Sequence, residues 1–227
     1  MTWTPLFLSL QVATVAMILS LIVGTALAVL LDWRRLPARD LFDALVSAPM
    51  VLPPTVLGYY LIVALGRDSA LGRGFMALTG HELTFSFPGA VIAGALGSLP
   101  LVVRSVRVGL DSIDPNLIAA ARTLGARPRR VLFTIVLPLA APGMIAGAML
   151  GFARALGDYG ITQMVAGARF DGLGIHQSPS ASIYVMNQVI AGHDDAALGM
   201  AVITTVVGVL ILYFVNRLTR GIHHHRG

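Results

Sequence analysis

Apolar residues in this chain are gathered into runs as long as a bilayer is thick, and that limits the fold more than any other feature. Crossing about 30 Å of hydrocarbon takes ~20 consecutive, mostly apolar residues in a helix. Five segments have that character: residues 6–31, 41–65, 83–103, 132–156 and 196–215. Inside lipid each backbone N–H and C=O must be satisfied within the protein, which favours helices. The expected fold is an all-α integral membrane protein with about five transmembrane helices. Pro138 and Pro142 interrupt the start of the fourth segment, which should become regular only from about Pro142. No Arg or Lys precedes the first run, and it is too long for a signal-peptide core, so it reads as a retained span.

Charge then gives a direction. Only 12% of the 227 residues are charged, and every basic one is Arg. They cluster in segment 32–40 (Arg34, Arg35, Arg39), segment 104–130 (Arg104, Arg107, Arg122, Arg127, Arg129, Arg130) and the tail (Arg217, Arg220, Arg226). With five spans these regions share one side. The other side holds the Arg-free N-terminus, the loop 66–82 with Arg67 and Arg73, and the acidic loop 157–195. The positive-inside rule places the Arg-rich side in the cytoplasm, with the N-terminus outside and the C-terminus inside. Orientation and partner docking thus account for the net charge of +5 better than nucleic-acid binding does. No nucleic-acid partner is expected.

Several chemistries are excluded. A Walker A loop needs a Lys to reach the terminal phosphates, and the chain has none. It has no Cys, so disulfides and thiol chemistry are absent. His81, His176 and His193 fall in outer loops without ligand spacing, and the tail carries His223, His224 and His225 with no assigned role. Neither a catalytic set nor a metal site is expected. The loop 157–195 is long for a connector; its part 182–191 reads equally well as a short surface helix or as plain loop. No internal repeat is evident, so one domain is expected over 5–216, followed by a cytoplasmic tail 217–227.

Between the third and fourth spans lies a short capped helix. Asp114 is a strong N-cap and Pro115 suits the first helical position. Gly125 closes the helix as a left-handed C-terminal residue. Leu117, Ala120, Ala121 and Leu124 recur at helical spacing and form an apolar face. Two to three turns are too few to stand alone in water. The helix must rest on its own chain on one side, leaving the other for a partner or for the bilayer surface.

The longer spacing around this helix carries a resemblance. Permeases of ABC importers share Glu-Ala-Ala, three residues, Gly, nine residues, Ile, one residue, Leu-Pro. Here the pattern reads Ala119-Ala120-Ala121, Arg122-Thr123-Leu124, Gly125, nine residues, Ile135, Val136, Leu137-Pro138. All positions match except the first, where Ala119 stands for Glu, so any contact made by that carboxylate is missing. The segments 49–58, 84–87, 120–125 and 152–160 are similar to the molybdate branch of these permeases, and the likeness covers about residues 5–216.

The resemblance implies an importer permease with a type-1 transmembrane domain in a bacterial inner membrane. Tungstate, sulfate or thiosulfate are the alternative oxyanions to molybdate. The chain would pair with a second copy of itself around a path and engage two separate ATPase subunits, which bind ATP and Mg. A periplasmic oxyanion-binding protein would deliver the cargo. The loop helix with Arg129 and Arg130 would be the coupling element.

Polar groups inside a span usually face protein or water. Arg154 and Asp158 therefore read either as an ion pair that holds the end of the fourth span or as groups near the path. Pro49, Pro53 and Pro54 break the second span, where a gate-adjacent bend is expected. Gly143, Gly147 and Gly151 lie four apart and give a smooth face for close helix packing. An ion-driven secondary transporter would carry more buried carboxylates and a repeat. A membrane enzyme would need a convergent catalytic set. Both rank behind the permease reading.

Overall fold

The structure, a computed structural model, describes residues 3–32 and 38–223. Arg34, Arg35, His224, His225 and Arg226 lie outside the described residues. Among the described residues three helices are long and apolar enough to cross a bilayer: α1 over Thr4–Leu31 (helical to Asp32), α5 over Phe87–Asp111, and α12, which qualifies over Asp194–Arg217 and stays helical to His223. Two further apolar stretches are bent pairs. In one, α2 (Arg39–Val51) meets α3 (Pro54–Leu65) at 115°. In the other, the segment Pro128–Leu139 meets α9 (Ala141–Leu156) at 65°.

The first bend falls inside the expected second span, 41–65, where Pro49, Pro53 and Pro54 were expected to break it, and its cause is local. A residue before Pro is pushed out of the α region, and two consecutive Pro residues impose this twice. Leu52 accordingly sits at ψ 136° and Pro53 at ψ 138°. Neither Pro53 nor Pro54 has an N–H to continue the ladder of α2. Pro49, by contrast, is accommodated inside α2.

The second bend falls where Pro138 and Pro142 were expected to disturb the fourth span. Between α7 (Pro128–Val131) and α8 (Leu137–Leu139) the chain widens into a π-helical turn over Leu132–Val136, in which the Leu137 N–H donates to the Leu132 carbonyl. Regular helix resumes at Ala141.

The third expected span also needs correction. Helix α5 begins at Phe87, capped by the Ser86 hydroxyl, and runs eight residues past Val103 to Asp111. Arg104 and Arg107 are therefore helical residues, because nothing in the sequence 104–111 breaks a helix. At the C-terminus α12 stays helical past position 217 to His223. The fold is not wholly α: β1 (Phe170–Gly172) and β2 (Ile175–Ser178) form an antiparallel hairpin in the long loop. That loop also holds α10 (Gly160–Ala166) and α11 (Ala181–Ile190), and α4 (Ala70–Thr79) occupies the loop before α5. The expected alternative of a helix near 182–191 is the one that forms, with the Ser180 hydroxyl accepting the Ile183 N–H.

Helix α5 is the centre of the bundle, with α1 and α9 against it. Small residues make this possible. A Cβ on Gly94 would stand 3.2 Å from that of Ala16 and 3.4 Å from that of Ala155, and one on Gly24 would meet Val102 at 2.8 Å. Gly143, Gly147 and Gly151 all meet α5 of the same chain, at Gly109 and Ser105, at Ser105 and Val102, and at Val102 and Ser98 respectively. Gly151 also approaches Ser20 of α1.

The bundle has two distinct ends. At one, Ala28 and Leu31 of α1 pack with Leu110, Ile113, Val46 and Ile118. At the other, Leu8 and Val12 of α1 pack with Phe170, Ile175 and Ile183. Helix α12 runs alongside α1, with Met200 near Leu6 and Val215 lining a groove with Leu21.

Candidate functional site

The short helix α6 (Pro115–Thr123) lies at the end where α1 and α5 finish. Asp114 Oδ1 accepts the Asn116 N–H at 2.9 Å, satisfying a free donor of the first turn. At the far end Gly125 takes φ 80°, which a Cβ would disfavour. Its N–H donates to the Arg122 carbonyl and the Ala126 N–H to the Ala121 carbonyl, both at 3.0 Å. This paired closure uses up carbonyls that the helix end would otherwise leave open.

The expected apolar face of Leu117, Ala120, Ala121 and Leu124 is divided in the structure. Ile118 packs against the cluster containing Leu110 and Ile113, and Ala121 is half-buried. Leu117, Ala119, Ala120, Arg122 and Leu124 are exposed, Leu124 at 87%. The phase follows from Ile113: buried in the turn after α5, it draws Ile118 inward and rotates Leu117 and Leu124 out. Arg127, Arg129 and Arg130 follow, all exposed. Among the described residues none of these three Arg is in an ion pair. The result is a short apolar ridge beside a cationic strip, with its own chain covering only the back.

The same end is tied to α2. Arg107 Nη1 donates to both carboxylate oxygens of Asp43 at 2.7 Å, and Arg104 reaches the Ser47 hydroxyl at 3.4 Å. This link leaves no local signal in the sequence, because its partners are 64 residues apart and Arg107 falls in a segment expected to be a loop.

A second constellation forms where α9 turns into α10. Arg154 Nη1 donates to Asp158 Oδ1 at 2.9 Å. Asp158 Oδ2 accepts both the backbone N–H and the hydroxyl of Thr162 at 2.8 Å, so its carboxylate caps α10. The Asp158 carbonyl accepts from the Ser182 hydroxyl at 2.7 Å, linking α11 to the same corner. The double-proline break is brought here too. A Cβ on Gly160 would stand 2.7 Å from Pro54 Cβ, and one on Gly58 would stand 2.6 Å from Met164 Cβ. Pro54 thus meets the α9–α10 corner, whereas Pro53 is exposed beside it and Pro49 is half-buried within α2, before the break. Thr162 was missed, though its spacing of four from Asp158 was a visible signal. Ser182 and Gly160 carried none. Among the described residues no group of three or more His, Asp or Glu gathers as a metal site.

Comparison with known proteins gives concordant findings. The family model of the binding-protein-dependent transport system inner membrane component matches residues 20–224. The chain is 38% identical over 221 residues to the molybdenum transport system permease protein ModB of Escherichia coli (strain K12), covering 96% of this chain and 95% of that one. It is 45% identical over 155 residues to the protein of that description from Haemophilus influenzae, 68% of each chain. Among solved structures, a chain of the MetNI methionine ABC transporter in inward facing conformations matches with a TM-score of 0.73 at 19% identity, over 98% of this chain and 99% of that one. At that identity the last likeness speaks to the fold alone.

Proposed function

The chain belongs to the family of binding-protein-dependent transport system inner membrane components, and from that premise we propose that it is the permease subunit of an ATP-driven molybdate importer. The observation that carries this reading is the near end-to-end likeness to the molybdenum permease of Escherichia coli. It is a multi-pass membrane protein, and we place it in a bacterial inner membrane. Each bent pair counts as one span, giving five. The end bearing α6 and Arg127, Arg129 and Arg130 faces the cytoplasm.

On this reading two copies enclose the path on a two-fold axis, since one bundle of this size has its small-residue faces already filled by its own α1, α5 and α9. Two ATPase subunits, which bind ATP and Mg, receive the exposed ridge of Leu117, Ala120 and Leu124. A periplasmic binding protein delivers the oxyanion at the opposite end. Coupling requires that nucleotide and cargo each favour one of two states. Helix α6 suits the transmission of force: it is capped at both ends, anchored by Ile118, and joined within a few residues to both α5 and α7. The chain itself carries no catalytic role; hydrolysis belongs to the partners.

The test is uptake of labelled molybdate into proteoliposomes holding the permease, its ATPases and its binding protein. ATP-dependent uptake is expected, competed by tungstate more strongly than by sulfate. Uptake without the ATPases, or no molybdate uptake by the complete complex, would overturn the reading.

A further inference from the structure

We propose that Arg154 is a direct contact for the oxyanion in the translocation path, and that Asp158 sets how firmly that contact holds. This rests on the permease reading above and names the group that meets the ion within its path.

The observation is an asymmetry inside one ion pair. The Asp158 side chain is 3% exposed and both its oxygens are engaged, by Arg154 and by Thr162. The Arg154 side chain is 34% exposed. Only its Nη1 makes a hydrogen bond among the described residues; Nε and Nη2 have no acceptor. Arg154 stands near the end of a helix apolar enough to lie in a membrane. A guanidinium there with open donors is costly against lipid and settles against protein, water or a polar ligand. An ion pair that merely closes the α9–α10 corner explains Asp158 and Nη1, but not the exposed remainder of the guanidinium.

The floor beneath it is small and apolar. A Cβ on Gly97 of α5 would stand 2.9 Å from Ile161 Cδ1, 3.7 Å from Arg154 Nη2 and 3.8 Å from its Cζ, so the guanidinium lies beside Ile161 over a position of α5 that has no side chain. Arg104 occupies the same face of α5 two turns on, roughly 10 Å along the axis. It too is exposed, and its one hydrogen bond is the long one to Ser47. Arg107, one turn further along and also directed at α2, is neutralised by Asp43. Two cations with spare donors thus follow one line along the central helix, leading toward the Arg-rich end.

The chemistry fits a tetrahedral oxyanion. Adjacent oxygens of such an ion match the parallel N–H groups of a guanidinium. A conducting site must attract its ion and also release it. Asp158, fixed at 2.9 Å, cancels part of the Arg154 charge and so keeps the contact weak. The buried carboxylate does not repel the cargo at close range, because Arg154 and Thr162 occupy its oxygens.

The test uses the complete complex in proteoliposomes. The double variant Arg154→Gln with Asp158→Asn removes the charge without stranding a buried carboxylate. Molybdate uptake is expected to fall at least tenfold, while complex assembly and ATP hydrolysis stimulated by the binding protein persist. Asp158→Asn alone is expected to lower both the KM for transport and the maximal rate, since an undiluted Arg154 holds the ion longer. Wild-type uptake by the double variant would overturn the proposal. So would failure of that variant to assemble, which would make the pair a structural clasp. A wild-type complex that imports no molybdate would instead defeat the functional reading itself, before any variant is compared.

Discussion

Gly143 and Gly109 bring α9 and α5 together backbone to backbone: a Cβ on Gly143 would stand 2.8 Å from the Gly109 Cα and 2.6 Å from the Ser105 carbonyl oxygen. A backbone cannot step aside as the end of a flexible side chain can. Gly143→Ala should therefore spread the two helices and cost about 1–3 kcal/mol. Gly147, whose Cβ would meet its nearest neighbours at 3.3 Å, should tolerate Ala with a much smaller loss. Thermal unfolding of the two purified variants in detergent checks this, and equal stability would contradict the described crossing.

Closure of α6 should matter for coupling more than for insertion. Pro at position 125 cannot adopt a positive φ and cannot donate to the Arg122 carbonyl. Leu124 is so exposed that a charge there disturbs nothing inside the chain. Gly125→Pro and Leu124→Glu should each abolish cargo-stimulated ATP hydrolysis in the reconstituted complex, with membrane insertion unchanged. Normal stimulation would remove α6 from the coupling role.

Ala119 offers the converse experiment. It is exposed on α6, and a longer side chain there meets open space. Ala119→Glu restores the residue of the family pattern. It should leave ATPase binding intact or tighten it, as read by co-purification of the subunits. Strong loss of binding would mean that α6 docks in another manner.

The double-proline break can be dissected. In Pro54→Ala, Pro53 still excludes the α conformation at Leu52, so the 115° bend should persist. In the pair Pro53→Ala with Pro54→Ala both constraints vanish and two donors return. The helix should then extend through positions 52–54 and uptake should fall. Distances between spin labels at 45 and 60 would lengthen in the double variant only; the same distance in both would assign the bend to tertiary packing.

Much of the architecture was legible because its causes are local. The apolar runs marked α1, α5 and α12 directly, and Pro53 and Pro138 marked where the others bend. Asp114 and Gly125 delimited α6 to within a residue, since capping involves groups a few positions apart. The errors came where local signals were silent. Charge was taken to end the third span, yet Arg104 and Arg107 continue α5, because charge alone does not stop a helix. The hairpin of Phe170 and Ser178 has little alternation to reveal it, and its strands are short.

What this sequence determined by itself is which stretches belong in lipid, where they break, and which short helix stands apart with caps at both ends. Those properties depend on composition and on neighbours within about one helical turn. Only the tertiary structure decided which face of α6 is left uncovered, that the glycine row of α9 meets α5 of the same chain, and that Arg154 keeps donors free above Gly97. Each of these is a relation between residues brought together from distant parts of the chain, as Asp43 is to Arg107 or Ser9 to Ala181. Packing of whole helices sets such relations, and no local pattern encodes it.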